Sequence, residues 1–212
     1  MIEVLLIIFS IALLSLSLTT MVDTYVRNLI YQAIILFFIT LFTHEAKNIG
    51  TVIFILVETI IIKGILVPYI LFRNIKENEI VREVQPNTPQ YLSILIMSMI
   101  LIFGFVIAFW SNKHIKGLNS LQFGISISTI LAGLFLILAR KQLITHVIGY
   151  MVIENGTFLL SLSVIKNLPS LVALGISLDI LMGILLAGIL INHIKTTFDE
   201  KEGIDSLTSL KD

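Results

Sequence analysis

The sequence predicts an all-α, polytopic membrane protein of seven transmembrane helices, and three observations carry that expectation. Of its 212 residues 57% are apolar and 13% charged, and the mean hydropathy is +1.01, far above what a water-facing surface permits. The apolar residues run in continuous stretches of about 20, the length a helix needs to cross a bilayer, without the alternation of a shorter outer-membrane strand. Seven such stretches use roughly 140 positions and leave short loops and a tail. Lys plus Arg (14) balance Asp plus Glu (14), so nothing points to nucleic acid. The absence of cysteine excludes disulfides, thiolate zinc sites and cysteine-ligated iron-sulfur clusters.

The first span is Val4 to Val22. No basic residue precedes it, Glu3 does, and no small-x-small cleavage site follows, so it reads as a retained helix and not a signal peptide. The second is uncharged only from Asn28 to Thr43, slightly short of the usual minimum, with Tyr25 and Tyr31 beside Arg27 as an interfacial anchor. Gly50 to Phe72 is the third, Tyr91 to Trp110 the fourth and Leu121 to Ala139 the fifth. Leu143 to Ile165 is the sixth and Leu171 to Ile194 the seventh. The one sizeable loop, Arg73 to Gln90, holds six charges and the turn Pro86-Asn87-Thr88-Pro89, a solvated connector with no second domain. Residues 1–194 are thus expected to form one transmembrane domain and 195–212 a polar tail.

Seven spans place the termini on opposite sides. Outside the helices one side carries Lys47, Lys113, Lys116 and Lys166, and the other carries Arg27, Arg73, Lys76, Arg82, Arg140, Lys141, Lys195, Lys201 and Lys211. Four against nine puts the N-terminus outside and the C-terminus in the cytoplasm of a multi-pass cell-membrane protein. On this reading the loop basic residues are topology signals and no more. Arg27 to Ile34 faintly echoes Lys141 to Ile148. Duplication of a three-helix unit, spans one to three against five to seven, is one explanation, and chance similarity of Leu- and Ile-rich segments is another.

Four ionisable residues lie well inside the spans: Glu58 and Lys63 in the third, Glu154 in the sixth and Asp179 in the seventh. Each costs about 2.5 to 3.5 kcal/mol at helix centre on the insertion scale, a cost seldom retained without a role. At about 1.5 Å per residue, all four fall within roughly 5 Å of the midplane. A row at one depth suits a lateral chain of proton or ion sites, whereas a transmembrane pore scatters polar groups along its length. The alternative is a salt bridge or hydrogen-bond clamp between helices. At α-helical spacing Glu58 and Lys63 are about 140° apart, so Lys63 is expected to pair with a carboxylate of another helix.

Supporting positions follow. Asn155 beside Glu154 offers an amide to a neighbour or a water, or serves as plain interhelical glue. His146 below Glu154 and His193 near the inner end of the seventh span offer proton steps toward the cytoplasm, or are interfacial polar residues. Pro68 removes the amide that would bond the Gly64 carbonyl, so a kink or local unwinding is expected beside Lys63. No G-x-G-x-x-G, P-loop, H-E-x-x-H or G-x-S-x-G pattern occurs, and the four histidines leave no facing pair for two haems. No catalytic centre, cofactor or metal site is expected in this chain.

Ala139-Arg140-Lys141-Gln142-Leu143-Ile144-Thr145-His146-Val147-Ile148-Gly149-Tyr150-Met151-Val152-Ile153-Glu154-Asn155-Gly156 resembles the glutamate-bearing helix of the K subunit of respiratory complex I. Leu174 to Asp179 and the terminal Ile204-Asp205-Ser206-Leu207 agree with that likeness, which covers 118–194 and the tail. Val152-Ile153-Glu154-Asn155-Gly156, Leu178-Asp179-Ile180-Leu181-Met182-Gly183 and Lys63-Gly64-Ile65-Leu66-Val67-Pro68 are similar to the pattern of hydrogenase-4 component E, a seven-helix relative. That resemblance implies a non-redox membrane subunit of a nickel-iron hydrogenase, formate hydrogenlyase or related complex. Its partners would be antiporter-like membrane subunits and a peripheral nickel-iron and iron-sulfur arm. Glu154 would take the place of the key glutamate, Asp179 that of the acid of the last helix, and Glu58 and Lys63 would be a neighbouring site and a counter-ion. The complex I pattern places its first glutamate at Met151 and its second about one turn beyond Asp179, so the proton or sodium path is rearranged or incomplete. A stand-alone secondary transporter and a purely structural scaffold are the rival expectations.

Overall fold

The structure is a computed structural model that describes residues 1–43, 53, 57–77, 88–114 and 118–164. The chain divides into two compact units, Met1–Gly175 and Ile176–Asp212, and every described residue belongs to the first. Asp179, His193 and the seventh span lie outside the described residues.

All elements among the described residues are helical: α1 (Ile2–Leu18), α2 (Val22–Thr43), a π-helical segment (Val57–Leu66) running into α3 (Val67–Glu77), α4 (Gln90–His114), α5 (Ser120–Ala139) and α6 (Leu143–Val164). Helices α2, α4, α5 and α6 are each long and apolar enough to cross a membrane, while α1, at 17 residues, is shorter. The chain is a helical membrane protein.

The first apolar run is not one helix, as the sequence had suggested. It stops at Leu18, Thr19 takes an extended backbone, and α2 begins at Val22. Two consecutive threonines favour the break because their hydroxyls compete for local backbone groups, and the Thr19 hydroxyl accepts a bond from the Met21 amide at 3.3 Å. The second span therefore starts six residues before Asn28 and reaches 22 residues. Its polar first turns, with Asp23 and Arg27, belong to the helix.

Consecutive helices pack in antiparallel pairs, α1 on α2 and α5 on α6, with α4 against α5 and α1, and α2 against the π segment and α6. Glycines allow the closest crossings. A Cβ on Gly133 would stand 2.6 Å from the Gly149 carbonyl oxygen, and one on Gly104 would stand 2.6 Å from that of Gly124, so no larger residue fits without parting the helices. Helix α4 turns Ser93, Met97, Leu101, Gly104, Ala108 and Ser111 inward at spacings of three and four. Its other face, with Met99, Ile102, Val106 and Phe109 more than half exposed, suits acyl chains.

Candidate functional site: a buried ion pair between the π segment and α6

The π segment presents Lys63 and α6 presents Glu154. Lys63 Nζ lies 2.9 Å from Glu154 Oε1, and each side chain is 5% exposed. The approach is coulombic, outside good hydrogen-bond alignment at that oxygen. The same ammonium lies 4.8 Å from the ring centroid of Phe158, one turn along α6 from Glu154. A carboxylate and an aromatic face on one stripe of α6 thus offer Lys63 two resting places, one charged and one not.

The local backbone explains how Lys63 reaches them. In a π-helix each amide bonds the carbonyl five residues back, so positions five apart come to lie one turn apart. The α-helical estimate that sets Glu58 and Lys63 about 140° apart is therefore superseded: their backbone positions stack within one wide turn. Pro68 is the second residue of α3, so its missing amide hydrogen falls where the π ladder gives way to the α ladder. That shift of ladder is a local departure from α-helical geometry beside Lys63, where a kink or local unwinding was expected.

Beside Glu154 a second polar array crosses three helices. Asn155 Nδ2 donates to Gln32 Oε1 at 3.1 Å, Gln32 Nε2 donates to Asn28 Oδ1 at 3.0 Å, and Asn28 Nδ2 donates to the Ala12 carbonyl at 2.9 Å and to the Ser15 hydroxyl. Asn28, Gln32 and Asn155 are all buried. Amides at these positions hand hydrogen bonds in one direction without releasing a proton, so the array clamps α1, α2 and α6 together and fixes the rotation of α6 next to Glu154. Replacing Gln32 with Leu leaves the Asn155 amide and the Asn28 carbonyl without partners in an apolar interior. The expected result is a loss of about 1 to 3 kcal/mol, read as a lowered Tm of the detergent-solubilised protein.

A third buried group lies at the α5 to α6 break. Arg140 is 2% exposed, its guanidinium carbon lies 6.0 Å from the Tyr25 ring centroid, and its Nε and Nη1 have no hydrogen-bond partner. Taking Arg140 as a topology signal alone is thus corrected: the side chain is packed inside, against α2. His146, two turns from Glu154, has its Nε2 2.9 Å from the Arg140 carbonyl. A carbonyl only accepts, so Nε2 carries the proton.

No protein-family model matches the chain, and no solved structure does. Curated proteins do. The chain is similar to hydrogenase-4 component E. Over 154 residues it is 27% identical to that protein of Escherichia coli (strain K12), covering 71% of this chain and 69% of the relative, and the figures for Shigella flexneri are the same. An uncharacterized protein of Mycobacterium tuberculosis is 23% identical over 188 residues, 88% of this chain and 85% of the relative.

Beside that likeness to hydrogenase-4 component E, the geometry brings together two of the four charges singled out in the sequence, Lys63 and Glu154. Asn155 lies beside them and His146 nearer the break; Asp179 and His193 are outside the described residues. Sequence reasoning missed Asn28 and Gln32, although two amides four apart in an apolar run are a readable signal for one face of a helix. It also missed the burial of Arg140, for which a sequence holds no sign, because a basic residue at a helix end is ordinarily solvated.

Proposed function

We propose that the chain is a non-redox membrane subunit of a hydrogenase-type oxidoreductase complex related to respiratory complex I, and that it contributes a mid-membrane step of proton or sodium translocation. The observation that carries the reading is the buried Lys63–Glu154 pair, with Glu154 at the middle of α6, in a chain similar to a hydrogenase component. A buried pair of this kind is a switch. Protonating Glu154 removes its charge, and the ammonium then keeps the Phe158 face; withdrawing the proton restores the pair. A charge arriving nearby shifts the balance between these states, which couples events elsewhere in the complex to proton uptake or release.

In the full arrangement Glu154 is the central carrier, Glu58 and Asp179 are neighbouring acids, and Lys63 is the counter-ion. The chain crosses the cell membrane seven times with its C-terminus in the cytoplasm, and 118–194 corresponds to the K subunit of complex I. Antiporter-like membrane subunits and a peripheral nickel-iron and iron-sulfur arm are its partners. A scaffold role is the second reading, favoured by the amide clamp, which holds three helices without any titratable group.

The experiment is Glu154→Gln in the chromosomal copy, with membranes assayed for redox-driven ion movement and the complex isolated in mild detergent. Gln keeps the shape and loses the charge. The expected result is an assembled complex that recovers its redox subunits and translocates at least tenfold less. Unchanged translocation would remove Glu154 from the path, and purification of the chain without redox subunits would overturn the complex itself.

A further inference from the structure

The breaks between α1 and α2 and between α5 and α6 lie side by side. Arg140, in the second break, rests its guanidinium carbon 6.0 Å from the ring centroid of Tyr25 in the first turn of α2, and the Tyr25 hydroxyl donates to the Thr19 carbonyl in the first break at 3.1 Å. Gln90, which opens α4, joins them by donating to the Leu18 carbonyl at 2.8 Å. Carbonyls at these joints are already engaged. That of Met21 accepts the amides of Thr24 and Tyr25, that of Gln142 the amides of Thr145 and His146, and that of Arg140 itself the ring N–H of His146. The surplus falls on the donor side: Arg140 is 2% exposed, and its Nε and Nη1 find no acceptor.

A guanidinium keeps its charge in a protein interior, where an unpaired lysine can shed a proton. An unpaired buried charge is strongly destabilising until a counter-ion meets it. Among the described residues no carboxylate does so. Asp23, in the first turn of α2, is part exposed and forms no ion pair with Arg140. An arginine at the end of a span ordinarily extends to water with its stem along the apolar surface. Arg140 is instead drawn inward, while Lys141, next in the chain, is exposed.

The surface outside the two breaks indicates which anion. Leu138 is 77% exposed, Leu18 54% and Met21 49%, so apolar side chains stand at the ends of the spans beside a cationic joint. Acyl chains against those side chains and a phosphate at the joint fit that arrangement, because phosphates sit where the spans end. A soluble anion has no use for the apolar part. Several N–H groups of one planar guanidinium also match phosphate oxygens better than a point charge does. We propose that Arg140 is the phosphate anchor of a phospholipid site at the joined breaks, with Lys141 as a second cation at the headgroup and Leu138 against an acyl chain. Its Nε and Nη1 are enclosed in this structure, so the lipid is met by rotation of the side chain off the Tyr25 face. Arg140 has extended backbone, φ −124° and ψ 143°, and belongs to neither helix, so that rotation leaves α5 and α6 in place. The site is independent of the translocation reading above.

The test uses the full chain with whatever subunits accompany it, extracted in mild detergent and washed until its phospholipid content is constant. Dioleoyl phosphatidylglycerol added back is expected to raise Tm in a concentration-dependent way, and dioleoylglycerol, with the same acyl chains and no phosphate, to leave it unchanged. Inorganic phosphate at equal concentration is also expected to leave it unchanged; stabilisation equal to that by the lipid would assign the site to a free anion and overturn a lipid site. Arg140→Gln is expected to weaken phosphatidylglycerol binding, counted by native mass spectrometry, about tenfold, and Lys141→Gln about twofold to threefold. Arg140→Lys keeps the charge without the planar fork and is expected to fall between the parent and Arg140→Gln, which covers the case in which the glutamine variant fails to fold. A parent chain indifferent to phosphatidylglycerol, or an Arg140→Gln chain that binds it as the parent does, overturns the proposal. Loss of an accompanying subunit from Arg140→Gln with lipid binding unchanged would overturn it too, in favour of a partner carboxylate.

Discussion

Replacing Lys63 with Met is expected to cost about 3 to 5 kcal/mol of stability, because Glu154 is left charged, 5% exposed and without its partner. Adding Glu154→Leu is expected to restore most of that loss. A buried ion pair gives little net stabilisation against apolar residues of similar volume, yet breaking it from one side exposes the full desolvation cost of the other. Thermal unfolding of the three proteins in detergent checks the ordering, with the double variant close to the parent and the single variant well below. Ion translocation separates the two roles of the pair. The double variant is expected to fold, assemble and fail to translocate; one that translocates normally would make the pair a clamp and return the chain to a scaffold.

Among the glycines at the contact of α5 with α6, Gly133→Ala is expected to be the most damaging change of a single methyl group. The added Cβ would stand 2.6 Å from the Gly149 carbonyl oxygen and 2.8 Å from the Ile153 amide nitrogen, both backbone atoms that move only with the helix. Overpacking of this kind costs about 1 to 3 kcal/mol, and the relief available, parting α5 from α6, displaces the residue next to Glu154. Gly64→Ala is the contrast. Its Cβ would meet the Thr59 carbonyl oxygen at 3.5 Å and Ala33 at 3.8 Å, ordinary contacts, so a neutral change or a gain of about 0.4 to 1 kcal/mol is expected from the stiffer unfolded chain. Parallel melting curves of the two variants test the pair of statements.

What could be read in advance follows from which forces are local. Hydropathy and length alone identify α4, α5 and α6, because a bilayer demands about 20 apolar residues and nothing else about them matters. The α1 to α2 boundary is different: Thr19 and Thr20 are apolar enough on average to hide inside a run, and only the hydroxyl bonds of the folded chain mark the break. Lys63 and Glu154 stand out in the sequence by their cost, but their pairing depends on a π-helical stretch, and no residue pattern announces a ladder that steps by five instead of four. Gln32 and Asn28 went unread because an uncharged amide is cheap in a helix until its partners on other helices are known. Arg140 went unread for the opposite reason, since a guanidinium at a helix end has an ordinary explanation that its burial then overrules.

The breaks at Thr19–Met21 and Arg140–Gln142 have a mechanical consequence. Three residues joining two antiparallel helices leave no slack, and each joint is tied by a ring that bonds back across it, Tyr25 in one and His146 in the other. Neither hairpin can scissor open without losing that bond, and α5 and α6 are further locked by the glycine crossing at Gly133 and Gly149. Such a frame leaves little room for helix movement between these paired elements. A step of the kind proposed for Lys63 and Glu154 would then be a side-chain displacement of a few ångströms, driven by field and not by leverage.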